Sequence, residues 1–141
     1  MGRNIFSPIR GPWINNEWRG LWRENPPYHT PIFVLTHHKK EPPEIEGGTT
    51  FDFVVDGIKS ARKKAKESAN GKDIRVVGGV QVIREYLKAG LIDGLHLVYS
   101  LVFLGSGESL FVGIDMPKLG FTVTEKTHTK DARHIVMSRK A

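Results

Sequence analysis

The sequence predicts an α/β protein: a mixed, mainly parallel central sheet flanked by helices, with a C-terminal antiparallel strand pair. Three observations carry this. Short apolar runs alternate with helix-period segments as far as residue 94, the rhythm of parallel strands joined by helical crossovers. Two adjacent glycines, Gly78 and Gly79, stand between one such run and one such helix. Towards the C terminus, Phe121–Lys126 and His134–Ser138 read as strands with little helical sequence between them, which points to antiparallel pairing.

The opening Met1-Gly2-Arg3-Asn4-Ile5-Phe6 reads like the interior of a fold, and Asn4 suits a helix cap or a phosphate contact. Trp18 and Trp22 follow Trp13 at i,i+4 spacing and predict a helix that Asn25-Pro26-Pro27 stops. Tryptophans so spaced either cover a core or roof a pocket for a planar ligand; the core reading is favoured. Pro31–Thr36 is a continuous apolar run of the kind buried on both sheet faces. A charged connection, His37 to Gly48, leads to a second strand at Thr50–Val55. Asp56 is then placed to cap a helix in which Ile58, Ala61, Ala65 and Ala69 form a narrow inward stripe. Asp73–Val77 is the third predicted strand, and after the Gly78-Gly79 turn a helix-period segment closes on Gly90. Leu95–Leu104 supplies another strand before the final pair.

At 141 residues, with 39% hydrophobic and 26% charged, the chain has the size and composition of one ordinary globular domain. No apolar run approaches the ~20 residues of a transmembrane helix, and no signal-peptide pattern opens the chain. There is no cysteine, hence no disulfide framework or thiolate metal site, and a cytoplasmic location is the expectation. The net charge of +6 is concentrated around Lys59–Lys66. A nucleic-acid surface is one reading, but no aromatics interleave with these charges to stack bases, so a solvated helix face is favoured.

Chemistry-bearing patterns are few. A glycine turn ahead of a helix aims backbone N–H groups, with the positive end of a helix dipole behind them, at whatever lies above the sheet edge, and so favours phosphate. The three-glycine dinucleotide fingerprint is absent, and two glycines can equally serve close strand–helix packing. His37 and His38 are neighbours and point to opposite faces of an extended backbone, with no third ligand at suitable spacing, so no metal site is expected. Asp93 and Glu108 lie near strand ends, where the simpler reading is a solvated turn residue. No nucleophile motif is present, and no catalytic residue is assigned.

Taken together, several segments resemble the dihydrofolate reductase-like superfamily. Gly2-Arg3-Asn4-Ile5-Phe6 is similar to its Gly-Arg-x-Thr-Phe segment, and Pro31–His37 to the strand that follows. Gly47–Phe51, Val77-Gly78-Gly79, Ala89–Asp93 and Leu104–Phe111 resemble the branch that holds the C-terminal reductase domain of the bifunctional riboflavin-pathway enzyme. The resemblance runs in order through nearly the whole chain. It implies a single domain over residues 1–141, lacking the strand and helix that precede the Gly-Arg segment in family members. It also implies sheet edges that dimerisation or strand exchange could cover.

The resemblance further implies an NADPH site. Arg3 and Asn4 would sit at a helix start near the pyrophosphate or its ribose. Thr36 and His37 would meet the adenosine 2′-phosphate, with His38 and Lys39 adding charge. Gly78, Gly79, Val80 and Gln81 would cradle the pyrophosphate through backbone N–H groups. Ligands of open α/β sheets do bind beyond the carboxyl ends of strands. Val77 stands where the riboflavin-pathway reductases carry an acidic residue, and Asp93-Gly94 where they carry Asp-Glu, which argues against a pyrimidine ribosyl substrate and against folate. The expected activity is NADPH-dependent reduction of a small heterocyclic or carbonyl substrate. A non-catalytic NADP-binding module and, last, a basic nucleic-acid-binding protein are the alternatives.

Overall fold

The computed structural model describes residues 1–15 and 17–140. The chain divides into two compact units, Met1–Val82 and Ile83–Ala141. Parallel strand pairing is confined to the first and antiparallel pairing to the second, the mixed α/β content that the sequence predicts.

The first unit opens with a single helical turn, α1 (Arg3–Phe6), and continues into β1 (Pro31–Leu35), β2 (Thr50–Val54) and α2 (Gly57–Ala69). β1 and β2 pair in parallel, from Pro31 opposite Thr50 to Leu35 opposite Val54. The N-terminal residues run beside β1. Gly2 forms a parallel bridge with Leu35, whose N–H donates to the Met1 carbonyl at 2.8 Å. Phe6, Val34, Phe51 and Phe53 form the core, with Trp13 and Trp18 packed against it. The Phe6 ring meets Phe51 and Phe53 edge-on at 5.0 and 5.1 Å, the favoured geometry for rings that carry a quadrupole. α2 turns the expected stripe inward: Ala61 is buried and Ile58, Ala65 and Ala69 are half-buried. Asp56 holds the N-cap position but makes no side-chain cap bond.

Two predicted elements of this unit do not form. Residues 17–24 contain no helix, because Gly20, midway between Trp18 and Trp22, is buried with φ +98. That conformation is open to glycine and closed to a helix. A Cβ at Gly20 would come within 3.0 Å of Phe6 Cε2. The two tryptophans consequently part company. Trp18 Nε1 donates to the Phe6 carbonyl at 2.9 Å, while Trp22 is exposed and donates to the Tyr28 hydroxyl at 3.0 Å. Asp73–Val77 likewise joins no ladder. A strand exists through its neighbour's N–H and C=O groups, and among the described residues none pairs with this segment.

In the second unit, β3 (Gly94–Ser100), β4 (Phe121–His128) and β5 (Ala132–Arg139) form an antiparallel sheet in the order β3-β5-β4. The predicted C-terminal pair is the β4–β5 hairpin, with a register shift between Val123 and Glu125. Leu87, Met116 and Phe121 are the core, joined by Ile83, Leu95 and Met137. Leu87 belongs to α3 (Val80–Lys88), within which the division between the units falls. α3 ends in a Schellman motif: Gly90 (φ +66) donates to the Leu87 carbonyl at 3.0 Å and Leu91 to that of Tyr86 at 2.9 Å. The strand predicted to reach Leu104 stops at Ser100. Its partner turns at residues 129–131, and Leu101 to Leu104 leave the sheet with their side chains exposed.

Candidate functional site

All eight predicted cofactor residues fall in the first unit. Arg3 and Asn4 are the first two residues of α1, as expected for a helix start. Asn4 is exposed. The buried Gly2 joins this turn to the glycine pair: its N–H donates to the Gly78 carbonyl at 2.6 Å. Only glycine permits that approach, because a Cβ there would lie 2.8 Å from Val82 Cγ2 and 3.4 Å from the Gly79 nitrogen.

The glycine pair lies in an irregular segment just ahead of α3, with Gly78 buried and Gly79 half-buried. Gly78 has φ +132, a region that side chains disfavour, and the Gly78–Gly79 peptide is cis. A Cβ on Gly79 would meet nothing within 4 Å, so its backbone faces open space. α3 begins immediately after, at Val80 and Gln81. The first turn of a helix presents N–H groups that its own ladder cannot use, with the positive end of the dipole.

Thr36 and His37 follow the carboxyl end of β1 and differ in exposure. Thr36 is buried, and its hydroxyl accepts from the His38 N–H at 3.1 Å and donates to the His38 carbonyl at 3.2 Å. It therefore shapes the turn, while His37 is exposed beyond it.

The strongest electrostatic feature lies around Trp13. Arg3 places its guanidinium carbon 3.8 Å from the centroid of the indole ring, and Lys40 Nζ lies 5.2 Å from the same centroid. Trp13 itself is fixed by donation from Nε1 to the His38 carbonyl at 2.8 Å. Arg3 Nε and Nη2 are shut off from water and have no hydrogen-bond partner among the described residues. Burial, and then the charge of Arg10, pull the Arg3 pKa down; burial does the same to Lys40, whose residue is 5% exposed. An anion beside Arg3 would offset its desolvation, since a buried cation is costly without a counter-charge. Beside this cluster, a cleft of about 440 Å³ is lined by Trp13, Asn15, Lys39, Lys40 and Glu41.

Lys40 and the stacking of Arg3 on Trp13 escaped the sequence reading. Lys40 adjoins the basic residues His37–Lys39, but its burial could not be anticipated for a residue type that is nearly always exposed. The two acidic candidates have other employment. Asp93 pairs with Arg139 at 3.1 Å and Glu108 with Arg84 at 3.2 Å. Among the described residues no three His, Cys, Asp or Glu side chains gather as a metal-ligand set, and no helix is long and apolar enough to cross a membrane.

The family described as RibD C-terminal domain matches residues 13–137 of this chain. A relative from Bacillus subtilis (strain 168), named Uncharacterized protein YyaP, is 30% identical over 95 residues, which cover 64% of this chain and 50% of that protein. The chain thus spans about half the length of the curated relative it matches.

Proposed function

The chain belongs to the RibD C-terminal domain family, a reductase-like family of the riboflavin pathway, and from that premise we propose that it is an NADPH-dependent reductase of a small heterocyclic or carbonyl substrate, acting in the cytoplasm. The single observation that carries the reading is the Arg3 guanidinium, held on Trp13 with Nε and Nη2 shielded and without a hydrogen-bond partner among the described residues. A guanidinium is complementary to a phosphate oxygen, and a side-chain shift that uncovers these nitrogens would let one bind. NADPH supplies three phosphate groups, and when bound it furnishes the hydride.

The chain's own residues bind and orient. Gly78, Gly79 and the start of α3 offer backbone N–H groups and room for a pyrophosphate. Arg3 and Lys40 bring positive charge, and Trp13 offers a rigid apolar wall between them. His37, with the cleft beyond β1, takes the adenosine 2′-phosphate, while Thr36 holds the turn that carries it.

Equilibrium titration with NADPH and NADH, followed by tryptophan fluorescence, tests this reading. NADPH is expected to bind about tenfold or more tightly than NADH, the worth of one charge-assisted phosphate contact. Equal affinity for the two, or no binding of either, would overturn it. NADPH binding without oxidation of NADPH across a panel of carbonyl and heterocyclic substrates would instead identify a binding module.

A further inference from the structure

The antiparallel sheet of the second unit has two unlike faces. Leu95 and Met137, opposite one another in the ladder, pack on its core. By strand alternation, His96 and Val98 of β3, with Val136 and His134 of β5, stand on the other face. Because His96 pairs with Val136 and Val98 with His134, the two imidazoles lie on a diagonal of the ladder. Their nitrogens, His96 Nε2 and His134 Nδ1, are 3.1 Å apart, with ring centroids at 5.3 Å and planes inclined by 32°. His96 is exposed and His134 half-buried.

We propose that His96 and His134 form a two-imidazole site for a divalent transition-metal ion, with Cu²⁺ preferred over Ni²⁺ or Zn²⁺. Three points support this beyond the proximity itself. Two ligands at ~2.0 Å from one ion are ~2.8 Å apart when cis in a square plane and ~3.3 Å apart on a tetrahedral edge. The observed 3.1 Å falls between, so the two nitrogens already have the separation that one shared ion requires. Torsion about the Cβ–Cγ bond of histidine is broad, and rotation of the two rings, by roughly 35–45° for nitrogens now aimed at each other, turns both lone pairs to a common point. Finally, both rings rise from paired strands, so their separation is held by the ladder and not by a loop.

The choice of ion follows from what surrounds the pair. Glu125 and Thr127 of β4 share this face, opposite Val136 and His134, and the Thr127 hydroxyl donates to Glu125 Oε1 at 3.3 Å. Glu125 therefore adds negative charge nearby. Lys126 and His128, opposite Ile135 and Arg133, alternate to the other face. Since no third His, Cys, Asp or Glu completes a set among the described residues, water must fill the remaining positions. A tetragonal ion high in the Irving–Williams order tolerates that better than zinc, whose structural sites are closed by four protein ligands. Binding displaces the proton that one ring nitrogen holds towards the other, leaving each imidazole neutral with its proton on the remaining nitrogen.

Titration of the full chain with Cu²⁺, read by electron paramagnetic resonance and calorimetry, tests the site. The expected result is one equivalent bound with two equatorial nitrogens. His96→Gln and His134→Gln should each weaken that equivalent by about tenfold or more and leave one nitrogen. Both positions lie on the outer face, and circular dichroism verifies that the variants fold. His128→Gln, altered on the other face, should bind as the parent does. A parent signal with a single nitrogen, or either of the first two variants binding within about twofold of the parent, would overturn the proposal.

Discussion

Arg139 donates from Nη1 to the Gly90 carbonyl at 2.9 Å, and from Nη2 to Asp93 at 3.1 Å. One side chain of the last strand thereby closes the Schellman turn that ends α3. The Arg139 N–H adds a bond of 2.9 Å to the Asp93 carbonyl. The two side-chain contacts should differ in worth. The carbonyl bond is partly buried, whereas the Asp93 side chain is 83% exposed and its ion pair is screened by water. Arg139→Met is expected to cost about 1–2 kcal/mol in urea unfolding, and Asp93→Asn less than about 0.5 kcal/mol. Equal losses would reverse that ranking.

Local chemistry was legible in the sequence wherever the chain itself decides the outcome. The stripe of Ile58, Ala61, Ala65 and Ala69 faces inward, Gly90 ends its helix, and β4 and β5 pair as their patterns predict. The failures occur where a distant partner decides. Trp18 and Trp22 have helical spacing, but the demand of Phe6 for space at Gly20 outweighs it. Asp73–Val77 has the composition of a strand and, among the described residues, no ladder to join. Of the candidate site, the glycine pair ahead of α3 stands out by residue type, and the Gly-Arg segment only through the resemblance. The stacking of Arg3 and Lys40 on Trp13 could not, because neither spacing nor composition brings residues 3, 13 and 40 together.

Gly79→Val separates ligand approach from folding. The added Cβ would meet nothing within 4 Å, so unfolding should shift by less than about 1 kcal/mol. The same side chain would stand where a pyrophosphate must approach the backbone, and NADPH binding should be lost. Gly2→Ala is the contrasting variant. Its Cβ would fall 2.8 Å from Val82 Cγ2, and it should destabilise the first unit measurably. A Gly79→Val chain that bound NADPH normally would place the phosphates elsewhere.

Arg3→Met should trade binding against stability. Methionine retains a flexible apolar body against Trp13 and removes a charge whose Nε and Nη2 are shielded from water and have no partner among the described residues. The variant should melt no lower than the parent. Its NADPH affinity should fall by about tenfold to a hundredfold, the range for losing a charge-assisted bond to phosphate. A loss of stability with unchanged affinity would mark Arg3 as structural.

The Met1 amino group predicts a pH dependence with a definite sign. It donates to the Phe33 carbonyl at 2.7 Å, and burial lowers its pKa from 8.0 to about 6. Between those values the unfolded chain binds the proton and the folded chain does not, so stability rises with pH. The contribution is present above pH 8.0, is lost as pH falls, and is gone once the folded amine is also protonated, near pH 6. The loss should amount to roughly 2 kcal/mol, from a shift of about two pKa units reduced for partial exposure. Acetylating Met1 provides the control, because an amide N–H can donate to Phe33 without carrying a charge. The acetylated and free chains should match above pH 8.0 and diverge as the pH approaches 6, the acetylated chain being the more stable. Parallel pH profiles for the two would show that this amine carries no desolvation cost in the fold.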